Sequence, residues 1–107
     1  MLVRSMSRVD VLSERLIEFV ARLASRMSYD QRKLAVISGS SMYKIVCKVV
    51  TRVSDYISEN RDGLFWCRLC NKGTFTKRGF YLHLVRVHSF EIKSLIEEEL
   101  RRELRAL

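Results

Sequence analysis

The amino-acid sequence predicts a mainly α-helical fold, and two observations lead to that prediction. Proline is absent and only four of the 107 residues are glycine, a composition that argues against disorder and favours helices. Apolar residues also recur at steps of three and four along much of the chain, which is the period of an amphipathic helix. A hydrophobic share of 48% is enough for a small core, although domains of this size often need a metal or a partner as well.

Three helices are predicted in the N-terminal half of the chain: residues 8–27, Gln31–Ser38 and Met42–Ser58. Ser7 or Asp10 is the expected cap of the first helix, because short polar side chains accept hydrogen bonds from the free N–H groups at a helix start. Asp30 is expected to cap the second helix in the same way. The third helix carries many β-branched residues, which favour strands, but its length and its 3.6-residue period favour a helix.

The second half of the chain is predicted to contain a turn, a hairpin and two helices: Glu59–Gly63, Leu64–Thr76, Lys77–His88, and a last helix that Ser89 caps. We therefore expect three units: residues 1–60, 61–90 and 91–107. The apolar stripe of the last helix has two interpretations. It is either a short coiled-coil seam that joins two chains in a homodimer, or a surface that packs on the first helix.

The net charge of the chain is strongly positive. Lysine and arginine number 20 against 12 aspartates and glutamates, giving a formal charge of +8, which favours polyanionic partners such as nucleic acids. Residues 31–54 carry five basic residues and no acid, and residues 61–90 carry six basic residues and one acid. No apolar run is long enough for a signal peptide or a membrane span, and three cysteines do not indicate a disulfide framework. An intracellular protein without membrane contact is therefore expected.

Two cysteines and two histidines follow one another with the spacing C-x2-C-x12-H-x4-H: Cys67, Cys70, His83 and His88. Two residues between the cysteines allow a tight turn to direct both sulfurs at one ion. Four residues between the histidines place both imidazoles on one face of a helix, about a turn apart. Two thiolates and two imidazoles are ligands that tetrahedral Zn²⁺ prefers. The sequence therefore predicts one zinc ion bound by these four residues.

This segment resembles the two-Cys/two-His zinc finger family from Phe65 to His88. Phe65 is the aromatic residue two before the first cysteine, and Phe80 is the apolar residue three before the first histidine. The family places its core aromatic four residues after the second cysteine, where this chain has Thr74, and the aromatic follows at Phe75. We therefore expect a small rearrangement at the end of the hairpin. The resemblance implies a ββα fold built on one structural zinc ion. Four protein ligands close such a site to water, which argues against an enzyme.

Residues 31–50 resemble the helix-turn-helix family. Ala35 lies where two helices approach closely, Gly39 lies at the turn, where a positive φ is needed, and Ile45 takes the place of the buried residue of the second helix. In that family the first turns of the second helix lie against base edges in the major groove. The resemblance implies that five residues face DNA: Ser40, Ser41, Tyr43, Lys44 and Lys48. It also places three basic residues near phosphates: Arg32, Lys33 and Arg52.

The zinc finger resemblance indicates which finger residues would meet DNA. Counted back from the first histidine, the base-reading positions are Thr76, Arg78, Gly79 and Leu82, of which only Arg78 is suited to a guanine edge. Four basic residues of the finger are suited to phosphate contacts: Lys72, Lys77, Arg78 and Arg86. Trp66 and Tyr81 are interpreted either as rings that stack on bases or as cover for the small core of the finger.

The leading functional hypothesis is a zinc-dependent, sequence-specific protein that binds duplex DNA and regulates transcription. The alternatives are a protein–protein adaptor with a structural zinc finger, and an RNA-binding protein. One finger covers only about 3 base pairs, so the helix-turn-helix segment or a dimer is expected to supply specificity. The small, proline-free chain with one finger also resembles zinc finger proteins of crenarchaeal viruses and their hosts. That resemblance implies the regulation of viral or host promoters.

Overall fold

The computed structural model describes residues 8–107, and this part of the chain contains five helices and a three-stranded antiparallel sheet. In chain order the elements are α1 (Arg8–Ala24), α2 (Gln31–Ser38), α3 (Tyr43–Ile57), β1 (Ser58–Arg61), β2 (Leu64–Cys67), β3 (Lys72–Phe75), α4 (Lys77–Val87) and α5 (Ser89–Arg105). The predicted mainly α-helical fold is confirmed, with β2, β3 and α4 forming a ββα unit. Of the two predicted caps of α1, Ser7 lies outside the described residues and Asp10 lies inside the first turn of the helix; Ser89 is the first residue of α5 and not its cap.

The first helix ends earlier than its apolar period predicted. α1 stops at Ala24 instead of Met27. Arg26 has a left-handed backbone with a φ of +58°, and the N–H groups of Arg26 and Met27 donate to the carbonyls of Leu23 (3.0 Å) and Arg22 (2.8 Å). This pair of hydrogen bonds is the Schellman arrangement, which ends a helix and satisfies its last carbonyl groups.

The second and third helices meet at a sharp turn. The Asp30 carboxylate accepts hydrogen bonds from the backbone N–H groups of Arg32 (2.9 Å) and Lys33 (3.2 Å), which confirms the predicted cap of α2. Gly39 follows α2 with a φ of +83°, as predicted, and its N–H donates to the carbonyl of Ala35. The axes of α2 and α3 differ by 118° in direction, within the range of helix-turn-helix pairs.

A third strand precedes the predicted hairpin, so the prediction of a polar turn over Glu59–Gly63 is wrong for most of its length. β1 follows α3 without an intervening residue and pairs antiparallel with β2, giving the strand order β1-β2-β3. The side chains of β1 are all polar and show no alternation. The strand forms because its backbone groups pair with the edge of β2. Asp62 and Gly63 make the turn with φ values of +53° and +82°, the pattern of a two-residue type I′ hairpin.

The hydrophobic core lies between α1, α3 and α5 and continues into the ββα unit through α4, which packs on α1 and β2. Its largest fully buried side chains include Leu16, Val20, Leu34, Val46, Val50, Ile57, Phe80, Leu84, Ile92, Ile96 and Leu100. The apolar stripe of α5 is therefore buried within the chain. Packing of the last helix on the first, one of the two interpretations, is confirmed, and a homodimer stays a prediction.

Within residues 8–107, no single helix has both the length and the apolar composition needed to cross a bilayer. The α2 and α3 segments reach that length and composition only when taken together, across their 118° bend. The valines that make α3 apolar are buried in the core.

Candidate metal centre and nucleic-acid interface

The structure brings the four predicted metal ligands together from different parts of the ββα unit. Cys67 is the last residue of β2, Cys70 lies in the turn before β3, His83 lies on α4, and His88 directly follows α4. The turn between the cysteines is held by Asn71, whose N–H donates to the carbonyl of Cys67 (2.8 Å). Asn71 has a φ of +59°, a left-handed conformation that asparagine tolerates better than most residues.

The geometry of this cluster fits a tetrahedral ion. One ligand atom from each of the four residues lies within 4.8 Å of every other. Bonds of about 2.0–2.3 Å in a tetrahedral zinc site require ligand atoms to lie about 3.3–3.8 Å apart. The Sγ atom of Cys70 and the Nε2 atom of His83 are 3.4 Å apart, within that range. The donor set of two sulfurs and two nitrogens is one that zinc takes in structural sites.

His88 has a buried ring nitrogen that is not paired with another described residue. The side chain is nearly fully buried, with 4% of the residue exposed. Its Nδ1 atom makes a very short contact with the Glu91 carboxylate, whereas its Nε2 atom is buried and has no hydrogen-bond partner among the described residues. Burial lowers the pKa of His88, but the contact with Glu91 outweighs it and raises the pKa. A metal ion bound by Nε2 would remove the cost of leaving this nitrogen unpaired.

The surroundings favour the metal-binding form of His83 and Cys70 but not that of Cys67. Burial lowers the pKa of His83, and His88 and Lys72 lower it further, which keeps the imidazole neutral, as a metal ligand requires. Burial raises the pKa of Cys67. Burial also acts to raise the pKa of Cys70, but the nearby His88 ring and the backbone N–H of Lys72 outweigh it and lower the pKa towards the thiolate.

A small aromatic core supports the metal cluster. Phe80 is fully buried and stacks on Phe65 with a centroid distance of 5.3 Å. Phe75 packs on Phe80 at 5.8 Å and on the His83 ring at 4.5 Å. Phe65 pairs with Phe75 and Cys67 with Lys72, so β3 contains one more residue than β2 between these pairs. This bulge confirms the predicted rearrangement, because it absorbs the displacement of the aromatic residue from position 74 to position 75.

The four basic residues predicted to meet phosphates share one acid-free part of the chain. We call the set of Lys72, Lys77, Arg78 and Arg86 the basic face, although Lys77 and Arg86 lie half a turn apart around α4; all four are exposed and none forms an ion pair with another described residue. The predicted base-reading positions are less favourable. The Thr76 hydroxyl caps α4 by accepting from the N–H of Gly79 (3.1 Å), and Leu82 is half-buried.

The residues of the helix-turn-helix segment that are predicted to meet DNA divide into two groups. Tyr43 is half-buried and the others are exposed; three of the exposed residues, Ser40, Ser41 and Lys44, form no ion pair with another described residue. Lys48 and Arg52 instead form ion pairs with α5. The Nζ atom of Lys48 lies 3.2 Å from Glu103, and Arg52 lies 2.7 Å from Glu103 and 3.5 Å from Glu99. Sequence reasoning missed these pairs, because the partners are about 50 residues apart along the chain.

Trp66 and Tyr81 have partners within the chain. The Tyr81 hydroxyl donates to the Glu18 carboxylate on α1 (2.7 Å), and the Arg22 guanidinium lies 5.5 Å from the centre of its ring. The Arg61 guanidinium lies 5.0 Å from the centre of the Trp66 ring. Tyr81 therefore joins α4 to α1, and Trp66 covers the sheet.

Comparison of the chain with protein-family models, with curated proteins and with solved structures finds no match.

Proposed function

We propose that the chain is a zinc-stabilised protein that binds duplex DNA through the basic face of its ββα unit. One observation carries this proposal. Residues 63–90 contain no acidic residue, and their basic face is exposed, free of ion pairs within residues 8–107 and built on the same unit as the metal cluster. Cations that are not neutralised by the protein are available to neutralise phosphates.

The electric field at the start of α4 supports binding of an anion. Lys77 and Arg78 lie in the first turn of this helix, and that turn contains no acid. The helix dipole places partial positive charge at the same end, so basic residues there add to it instead of cancelling it. A helix start of this kind attracts phosphate oxygens.

Sequence preference is proposed to come mainly from the helix-turn-helix pair. Gly79 has no side chain, and the Thr76 hydroxyl is already used as a cap, so within the ββα unit Arg78 is the residue suited to a guanine edge. Lys44, at the start of α3, is exposed, and the resemblance to the helix-turn-helix family implies that it lies where bases are read. A protein that prefers particular sites on duplex DNA is suited to transcription control, and we propose that role.

The zinc ion is proposed to be structural, and no enzymatic activity is proposed. Four protein ligands complete a tetrahedral shell and leave no position for water or substrate. The ion would instead join the hairpin to α4 and so hold the basic face in shape.

Selection from a random duplex DNA library with zinc-loaded protein tests the proposal. We expect enrichment of a short motif, loss of binding after chelation, and weaker competition by RNA of the same length. Lys44→Gln should change the enriched motif, whereas Lys77→Gln should weaken binding to all sequences alike. Absence of any duplex binding at low salt by protein that contains zinc would refute the proposal.

A protein–protein adaptor is the second candidate, because two apolar residues at the junction of α4 and α5 are exposed. Val87 is 61% exposed and Phe90 is 78% exposed. Exposed apolar residues of this size, next to a rigid unit, are typical of contacts with protein partners. Replacement of both by serine should abolish partner binding under this hypothesis and leave DNA binding unchanged under the first.

A further inference from the structure

The contact between His88 and Glu91 joins the metal cluster to the last helix. Glu91 lies in the first turn of α5 and touches the Nδ1 atom of His88, while the Nε2 atom of the same ring is buried without a partner. A ring nitrogen that donates its proton to a carboxylate leaves the other nitrogen deprotonated and free to bind a metal. The contact therefore fixes both the tautomer and the direction of this ligand.

We propose that Glu91 is a positioning residue for the metal ion, which holds His88 with its proton on Nδ1 and its Nε2 directed at the ion. This inference rests on the zinc site of the proposed function. In metal sites of known type, carboxylates that hold a ligating histidine strengthen metal binding by about 10- to 100-fold.

The same contact makes the start of α5 depend on the metal. The carbonyl of His88 accepts the first hydrogen bond of α5, from the N–H of Ile92 (2.9 Å). The Ile92 side chain is fully buried in the core that α5 forms with α1 and α3. An ion bound to His88 therefore fixes the residue from which α5 starts, and loss of the ion should loosen the docking of α5 as well as the hairpin.

A different role for Glu91 would leave the metal affinity unchanged. An acidic residue in the first turn of a helix also stabilises that helix through its dipole. If this were its whole effect, replacing Glu91 would lower the stability of the zinc-loaded protein without any change at the His88 ring. The test therefore has to observe the ring itself as well as the affinity.

The experiment compares Glu91→Ala and Glu91→Gln with the control Glu98→Ala. Glu98 is exposed on the same helix and forms no ion pair with another described residue. The dissociation constant for Zn²⁺ is measured by competition with a chromophoric chelator. The ring nitrogens of His88 are followed by ¹⁵N NMR of the zinc-loaded proteins, and helix content is checked by circular dichroism.

We expect Glu91→Ala to raise the dissociation constant for Zn²⁺ by about 10- to 100-fold and to remove the protected Nδ1–H signal of His88. Glu91→Gln keeps an oxygen that can accept a hydrogen bond from Nδ1, so it should restore part of the Zn²⁺ affinity and part of the Nδ1–H signal. Glu98→Ala should match the wild type in both measurements. Zn²⁺ affinities within twofold of the wild type for both Glu91 variants would overturn the inference. Failure of the wild type to bind Zn²⁺ at all would instead refute the zinc site of the proposed function.

Discussion

The salt dependence of DNA binding provides a quantitative test, because the structure separates free cations from paired ones. The basic face supplies four cations without ion pairs within residues 8–107, whereas Lys48 and Arg52 are neutralised by Glu99 and Glu103. Each cation that displaces a counterion from DNA adds about −0.9 to the slope of log K against log salt. Four such contacts contribute about −3.6 to the slope, and by themselves they should weaken binding about 150-fold when the salt rises from 50 to 200 mM.

Single substitutions should divide the cations in the same way. Lys77→Gln removes a free charge, so the slope should become about 0.9 less steep. Lys48→Gln should leave the slope nearly unchanged, because Arg52 still occupies Glu103. The double variant Glu99→Gln with Glu103→Gln releases two cations on α3 and should steepen the slope by up to about 1.8. Glu98→Gln is the control for a change of charge alone.

The assay is fluorescence anisotropy of a labelled duplex titrated with zinc-loaded protein at several salt concentrations. Equal changes of slope for Lys77→Gln and Lys48→Gln would refute the division into free and paired cations. A wild-type slope near zero would refute the role of the basic face altogether, because binding without counterion release does not depend on phosphates.

Three further predictions concern stability. Phe80→Ala should lower the free energy of unfolding of the zinc-loaded protein by about 3–5 kcal/mol, measured by urea denaturation, because the ring is fully buried between two other aromatic rings; the exposed Phe90→Ala should change it little, and equal losses would contradict this. Tyr81→Phe should lower the free energy of unfolding by about 1 kcal/mol at neutral pH, in the same urea denaturation, because it removes the hydrogen bond to Glu18. Burial acts to raise the pKa of Glu18, but hydrogen bonds from Tyr81 and Arg22 outweigh it and lower the pKa. The stabilisation from the Tyr81–Glu18 hydrogen bond is therefore complete above the usual carboxyl pKa of 4.5, and it is lost as the pH falls through the lowered pKa of Glu18. The loss of unfolding free energy caused by Tyr81→Phe should shrink over that pH range. A loss that stays constant across the range would contradict the assignment. Cys67→Ala should abolish stoichiometric zinc binding, as measured by elemental analysis, and a variant that keeps one ion per chain would exclude Cys67 as a ligand.

The local signals in the sequence predicted most of the fold and the metal cluster. Helix periods, the Asp30 cap and Gly39 depend on residues close together in the chain, and all three are observed. The four ligands were found for the same reason, since their spacing encodes the turn and the helix that bring them together. The predictions did not include the contact of Glu91 with His88, although the two residues are only three apart and share a helical turn.

Other features could not be predicted because they depend on distant residues or on unusual local conformations. The all-polar β1 becomes a strand only because β2 offers it an edge, although the Asp62–Gly63 pair was a signal for a tight hairpin. α1 ends where Arg26 adopts a left-handed conformation, which nothing in its residue type requires. The neutralisation of Lys48 and Arg52 depends on how α5 packs, and periodicity does not reveal which face of a helix its neighbour covers.

The direct passage from α3 to β1 has a mechanical consequence. Ile57 ends the helix and Ser58 begins the strand, so no spacer residue allows the two to swivel independently. If α3 and the ββα unit that β1 joins both touch one double helix, their contacts keep a constant angle around its axis. One extra base pair between the two contact regions would rotate one region relative to the other by about a tenth of a turn. The protein could not adjust to this rotation, because no residue separates α3 from β1.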